Sequence, residues 1–76
     1  MNRTRRKMIE EVLAGLEDLI GQAESIRDEE QEALENTPES LQGSERYEQS
    51  EAAVSALENA IYSMEEASCS LEESME

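Results

Sequence analysis

NTPESLQGS, residues 36–44, is the stretch of this 76-residue chain whose reading decides the fold. Thr37 can cap a short turn with Pro38 at its first position, and Gly43 suits the left-handed residue that ends a turn. Ser44 can cap a following helix whose first turns carry Glu45 and Glu48. A connection this short makes the segments on either side antiparallel neighbours. Leu41 is expected to fold back over the open end of the seam between them.

Upstream of the connection, Ile9, Val12, Leu16, Leu19, Ala23, Ile26, Glu30 and Ala33 fall at alternating steps of three and four. That is a heptad seam, and Leu13, Ile20 and Leu34 widen it on one side. The expected helix covers about residues 4–35. Its seam weakens from Ile9 and Leu16 through Ala23 to Glu30, so its distal end packs more thinly. Gly15 and Gly21 each cost ~1 kcal/mol of helix propensity relative to Ala, which points to close backbone approach or local looseness.

Downstream, Tyr47, Ser50, Val54, Leu57, Ile61, Met64, Ser68, Leu71 and Met75 obey the same rule without a break, giving a second helix over about 45–75. Ala53, Ala60 and Ala67 occupy one flank of this seam at seven-residue spacing. Glu51, Glu58, Glu65 and Glu72 occupy the other. One flank admits a close neighbour and the other presents a row of carboxylates.

The fold class is therefore all-α: a single helical-hairpin domain over 1–76. Pattern carries this reading against composition. Leu, Ile and Val make up 13 of the 76 residues and Phe is absent, a content at which high net charge alone implies disorder. Disordered acidic tails do not hold apolar residues in register. Two helices cannot enclose a core by themselves, and chains of this size need a disulfide, a metal or a partner chain. The stripe of Leu13, Ile20 and Leu34, with the alanine flank, leaves apolar surface for a second hairpin, so a dimeric four-helix bundle is expected, the alternative being a loose monomeric hairpin. Leu13, Leu16, Leu19, Ile20, Val54, Leu57, Ile61 and Met64 form its core or dimer seam.

The formal net charge is −14, yet Arg3, Arg5, Arg6 and Lys7 hold four of the six positive charges. From Met8 onward 20 acids face only Arg27 and Arg46, a net of −18. The basic cluster sits at a helix N-terminus, and Glu72, Glu73 and Glu76 sit at a C-terminus, each against the macrodipole. In an antiparallel hairpin these ends adjoin, so a charge clasp between them is expected.

Such a surface repels nucleic acid and anionic lipid and attracts basic proteins. Cys69 is the only cysteine, and no apolar run reaches the length of a signal-peptide core or a membrane span. A cytoplasmic protein is the expectation.

Few chemistries fit these residues. There is no histidine, so the Glu-x-x-His pairs of a four-helix di-iron centre cannot be built. Cys69 falls on the outer face with no base nearby and reads as an incidental surface residue. Asp28, Glu29, Glu30 and Glu32 form a solvated charge run, because a continuous helix cannot wrap a cation as a loop does. No catalytic residue, cofactor or metal site is expected. Met64, Met75 and Tyr47 are seam residues. Tyr62 falls on the outward side among carboxylates and is a candidate contact residue.

A helix of thirty residues is ~45 Å long, so −18 over that length is about one charge per 2.5 Å, against one per ~1.7 Å of duplex DNA. The stretch DEEQEALENTPESLQGSERYEQSEAAVSALENA, residues 28–60, also resembles a group of small acidic proteins of phages, prophages and gut bacteria, whose pattern reads DEEQEAxxNxPExLQxSERxE followed by an LExA helix. Asp28, Glu29, Glu30, Gln31, Pro38, Leu41, Gln42, Ser44, Glu45 and Arg46 are in place. The resemblance implies kinship and a bacterial-host setting but no established activity. In a phage setting, short acidic helical proteins include inhibitors that imitate DNA.

The expected function is an inhibitor or anti-defence protein that presents Glu51, Glu58, Glu65 and Glu72, with Tyr62, to a basic cleft of a nuclease or DNA-binding protein. It binds neither nucleic acid nor membrane directly. The other reading is a structural or adaptor coiled-coil module whose apolar seam engages a partner helix, with the acids serving solubility.

Overall fold

The structure is a computed structural model and describes all 76 residues. It contains two long helices and one turn of 3₁₀ helix: α1 spans Arg3–Glu35, the 3₁₀ turn spans Glu39–Leu41, and α2 spans Glu45–Ser74. The helices pack against each other as an antiparallel hairpin 59 Å long and 15 × 13 Å across. There is no strand.

Each helix begins where the chain offers a side-chain acceptor. Asn2 is extended, and its Oδ1 accepts the Arg5 backbone N–H at 2.8 Å. Ser44 is likewise extended, and its Oγ accepts the Tyr47 N–H at 3.2 Å, the cap read from the sequence. α1 ends at Asn36, whose backbone N–H reaches the Glu32 carbonyl at 3.0 Å.

The connection achieves its reversal differently from the expectation. Thr37 does not cap the short turn: its hydroxyl donates back to the Ala33 carbonyl at 2.9 Å and closes α1 instead. Pro38 takes the position before the 3₁₀ turn rather than its first residue. No residue of the chain has positive φ, so Gly43 supplies no left-handed corner. A sequence of right-handed turns, with the Leu41 N–H on the Pro38 carbonyl and the Ser44 N–H on the Leu41 carbonyl, does that work. Leu41 stays half in solvent, lining an open hollow with the seam residues Leu34, Tyr47 and Ser50 at the connection end.

α2 turns inward the residues its pattern specified. Val54 and Ile61 are buried, and Tyr47, Ser50, Leu57, Met64, Ser68, Leu71 and Met75 are half-buried along the same line. In α1 the inward line is Ile9, Leu13, Leu16, Ile20, Ala23, Arg27, Glu30 and Leu34. This corrects the seam read from the sequence. Ile9, Leu16, Ala23 and Glu30 are common to both lines, but Leu13, Ile20 and Leu34 pack inward, whereas Val12, Leu19 and Ile26 are 55%, 54% and 54% exposed. The residues expected to face a second hairpin are in the hairpin's own core, and part of the expected core faces out.

The correction has a physical basis. Taking Leu13, Ile20 and Leu34 inward places three large side chains against α2, Leu34 among them where the connection holds the helices together. The alternative line would have put Ala33 there. The cost falls at Arg27, which occupies a seam position. Its stem lies along the interface, while Nε donates to Asp28 Oδ1 at 3.0 Å.

That pair is the molecule's sole ion pair. No salt bridge joins Arg3, Arg5, Arg6 or Lys7 to Glu72, Glu73 or Glu76, so the expected charge clasp is not formed. Exposed pairs of long side chains gain too little to overcome the entropy of holding them in one geometry. Gly15 and Gly21 are not points of close approach either, since a Cβ at either would meet nothing within 4 Å.

Candidate functional site

Once the seams are fixed, the two edges of the hairpin follow. On α1, Glu10, Glu17, Glu24 and Gln31 each come one residue after a seam position (Ile9, Leu16, Ala23 and Glu30). On α2, Glu51, Glu58, Glu65 and Glu72 each come one residue after Ser50, Leu57, Met64 and Leu71. In antiparallel packing these two rows share an edge. The connection end shows it: Gln31, Leu34, Glu35, Glu51, Val54 and Glu58 line one open hollow.

One edge therefore carries seven glutamates in two columns, each repeating every ~10.5 Å. All are exposed except Glu24, which is half-buried. No cation pairs with any of them. The α2 row was legible from its seven-residue spacing. The α1 row has the same spacing but was missed, because a misassigned seam puts it on no edge.

Tyr62 is 62% exposed and stands beside this edge, one helical turn from both Glu58 and Glu65. With Glu65, Glu66, Cys69 and Ser70 it lines an open hollow on the outer side of α2. Cys69 is free and exposed. The acids Asp28, Glu29, Glu30 and Glu32 are not gathered: no group of three or more Asp, Glu or Cys side chains is placed to hold a metal ion.

Of the expected core and dimer residues, Leu13, Leu16, Ile20, Val54, Leu57, Ile61 and Met64 face the hairpin interior, and Leu19 does not. Leu19 belongs to the opposite edge. That edge carries Val12, Leu19, Ile26 and Ala33 from α1 and Arg46, Ala53, Ala60 and Ala67 from α2. Ala33, Leu34, Arg46, Tyr47 and Ser50 meet around an open hollow at its connection end. The hairpin is thus two-sided, acidic along one edge and apolar along the other.

Over the 59 Å length, the net −18 from Met8 onward comes to about one charge per 3.3 Å, and the whole chain's −14 to about one per 4 Å, both sparser than the ~1.7 Å of duplex DNA. The density expected from helix length alone was too high. What likeness to a polyanion the molecule has lies in the regular spacing of one edge, not in the density of its charge.

No helix is long and apolar enough to cross a membrane. No family model, curated protein or solved structure matches the chain. The fold defines its class as an all-α antiparallel helical hairpin, and the function has to be read from its two edges.

Proposed function

We propose that this chain is a non-enzymatic binding protein whose glutamate edge occupies a basic, nucleic-acid-binding cleft of a partner protein and so inhibits it, in the manner of a phage anti-defence protein. The observation that carries this reading is the doubled row: Glu10, Glu17 and Glu24 beside Glu51, Glu58, Glu65 and Glu72, along one edge and without a compensating cation. Two columns of carboxylates on a stiff rod, each repeating every ~10.5 Å, offer a groove lined with Lys and Arg a regular but sparser counterpart of two phosphate strands. Tyr62 borders the row and supplies an aromatic contact where charge alone gives little specificity.

The test is capture of a partner from host lysate on the tagged protein, washed at rising salt, beside a variant with Glu51, Glu58 and Glu65 changed together to Gln and another with Glu10, Glu17 and Glu24 changed. The expected result is a partner that binds DNA, is displaced by DNA, elutes as salt rises and is lost from both variants. Retention in high salt by both variants would show that the acids serve only solubility.

The adaptor reading also has an observation in its favour, the exposed apolar edge of Val12, Leu19 and Ile26. On that reading Leu19→Asp abolishes partner capture and the Gln variants do not.

A further inference from the structure

The surface of the hairpin is larger than its mass calls for. A folded monomer of 8.6 kDa exposes about 4,700 Å² on the usual scaling, whereas this chain exposes 5763 Å² and buries only four residues. The excess is roughly 1,000 Å², about one partner's share of a standard interface.

It is also localised. Of the seven large apolar residues left exposed, all but Met1 and Tyr62 lie on or next to the apolar edge: Val12, Leu19 and Ile26 on it, Met8 one turn beyond Val12, and Leu41 at the connection-end hollow.

We propose that this edge is covered by a second copy of the same chain, packed about a two-fold axis that runs along the hairpin, so that α1 of each copy lies against α2 of the other. The edge is complementary to itself in that arrangement. Its α1 side carries large residues and its α2 side carries Ala53, Ala60 and Ala67.

At the connection end Ala33 shares a hollow with Arg46, Tyr47 and Ser50, and Gln31 shares one with Glu51, Val54 and Ser55. Continued along both antiparallel helices, this sets Ile26 along the stretch from Ala53 to Ala60 and Leu19 along the stretch from Ala60 to Ala67. A two-fold axis along the hairpin preserves those levels. Each large side chain of one copy then lies against the line of alanines of the other, large residues on small ones. Every pair of neighbouring helices is antiparallel, and both connections sit at one end.

Area and charge agree with this occupant. A strip 59 Å long and about 10 Å wide covers roughly 600 Å² per copy, or about 1,200 Å² in all, the lower end of the range for a stable interface. From Val12 to Ala33 and from Ala53 to Ala67 the edge positions hold no charge with which to select a foreign partner. Each copy's glutamate edge points away from the other, which keeps the two strongly acidic rows as far apart as a four-helix bundle allows. The dimer is therefore an assembly with two outward acidic edges. It stands whether or not those edges bind a basic cleft.

Sedimentation equilibrium of the full chain, with circular dichroism on the same samples, tests this. The expected result is twice the chain mass, with dimerisation strengthened by salt. Leu19→Glu and Ala60→Glu should each weaken dimerisation by about tenfold or more without loss of helix, since Leu19 is already half-exposed in the single hairpin.

In a Cys69→Ser background, a mixture of Ile26→Cys and Ala53→Cys chains should form a mixed disulfide dimer faster than either chain alone. A helical monomer across the micromolar range would overturn the proposal. So would a dimer indifferent to both Glu variants, a disulfide formed mainly within the Ile26→Cys chain's own kind, or a monomer whose edge instead captures a helix of another protein in a Leu19-dependent way.

Discussion

Leu13 and Val12 are adjacent in sequence and opposite in environment: Leu13 is 9% exposed against α2, and Val12 is 55% exposed on the outer edge. The two side chains lie ~100° apart around α1. That angle separates a residue holding the hairpin together from one left free for another surface. In dilute protein, Leu13→Ala should cost about 2–3 kcal/mol of unfolding free energy by urea titration, the loss typical of a buried leucine. Val12→Ala should cost under about 1 kcal/mol. Equal costs would mean that α1 is rotated about its axis from the setting described.

Gly15 and Gly21 interrupt α1 at outward positions, and a Cβ at either meets nothing within 4 Å. Neither substitution creates a clash, and each removes the entropy cost of a helical glycine. Gly15→Ala and Gly21→Ala should each stabilise the hairpin by about 0.5–1 kcal/mol. For a domain this size the double change raises the thermal midpoint by roughly 4–8 °C or more. A fall in midpoint would show that the glycines serve a close contact after all.

Ser44 is the only side chain that satisfies a backbone donor at the start of α2. Ser44→Ala should destabilise by about 1 kcal/mol, and Ser44→Asp should retain most of the stability. Asn2→Ala should cost less, because the first turn of α1 lies at a free end where fraying already releases it. Thermal melts of the three variants check the order.

Carboxylates within each row are ~10.5 Å apart, and the Debye length falls from ~10 Å at 0.1 M to ~3 Å at 1 M salt. With a net charge of −14 and a single ion pair, screening removes far more repulsion than attraction. The melting temperature should climb by several degrees, roughly 1 kcal/mol in this size class, between low salt and 1 M NaCl. A molecule held by the clasp between Arg3, Arg5, Arg6, Lys7 and Glu72, Glu73, Glu76 would melt earlier as salt rose.

Much of this protein was determined by its sequence. The heptad steps from Tyr47 to Met75 fix which line of α2 faces inward, because no second apolar line competes with them: the flanks are alanine on one side and glutamate on the other. Ser44 fixes where α2 begins, and the short connection fixes the antiparallel pairing.

The setting of α1 was decided only by the tertiary structure. Ile9, Leu16 and Ala23 can be joined either to Val12, Leu19 and Ile26 or to Leu13, Ile20 and Leu34. The two seams differ by a rotation of the helix through about half the ~100° between neighbouring residues, and periodicity alone scores them alike. Packing against α2 chose the line that buries Leu34 at the connection, at the expense of a half-buried Arg27. That same rotation brought Glu10, Glu17 and Glu24 beside the glutamates of α2 and left Val12, Leu19 and Ile26 outside. The two edges, and with them the function to be tested, follow from one angle that no local stretch of sequence specifies.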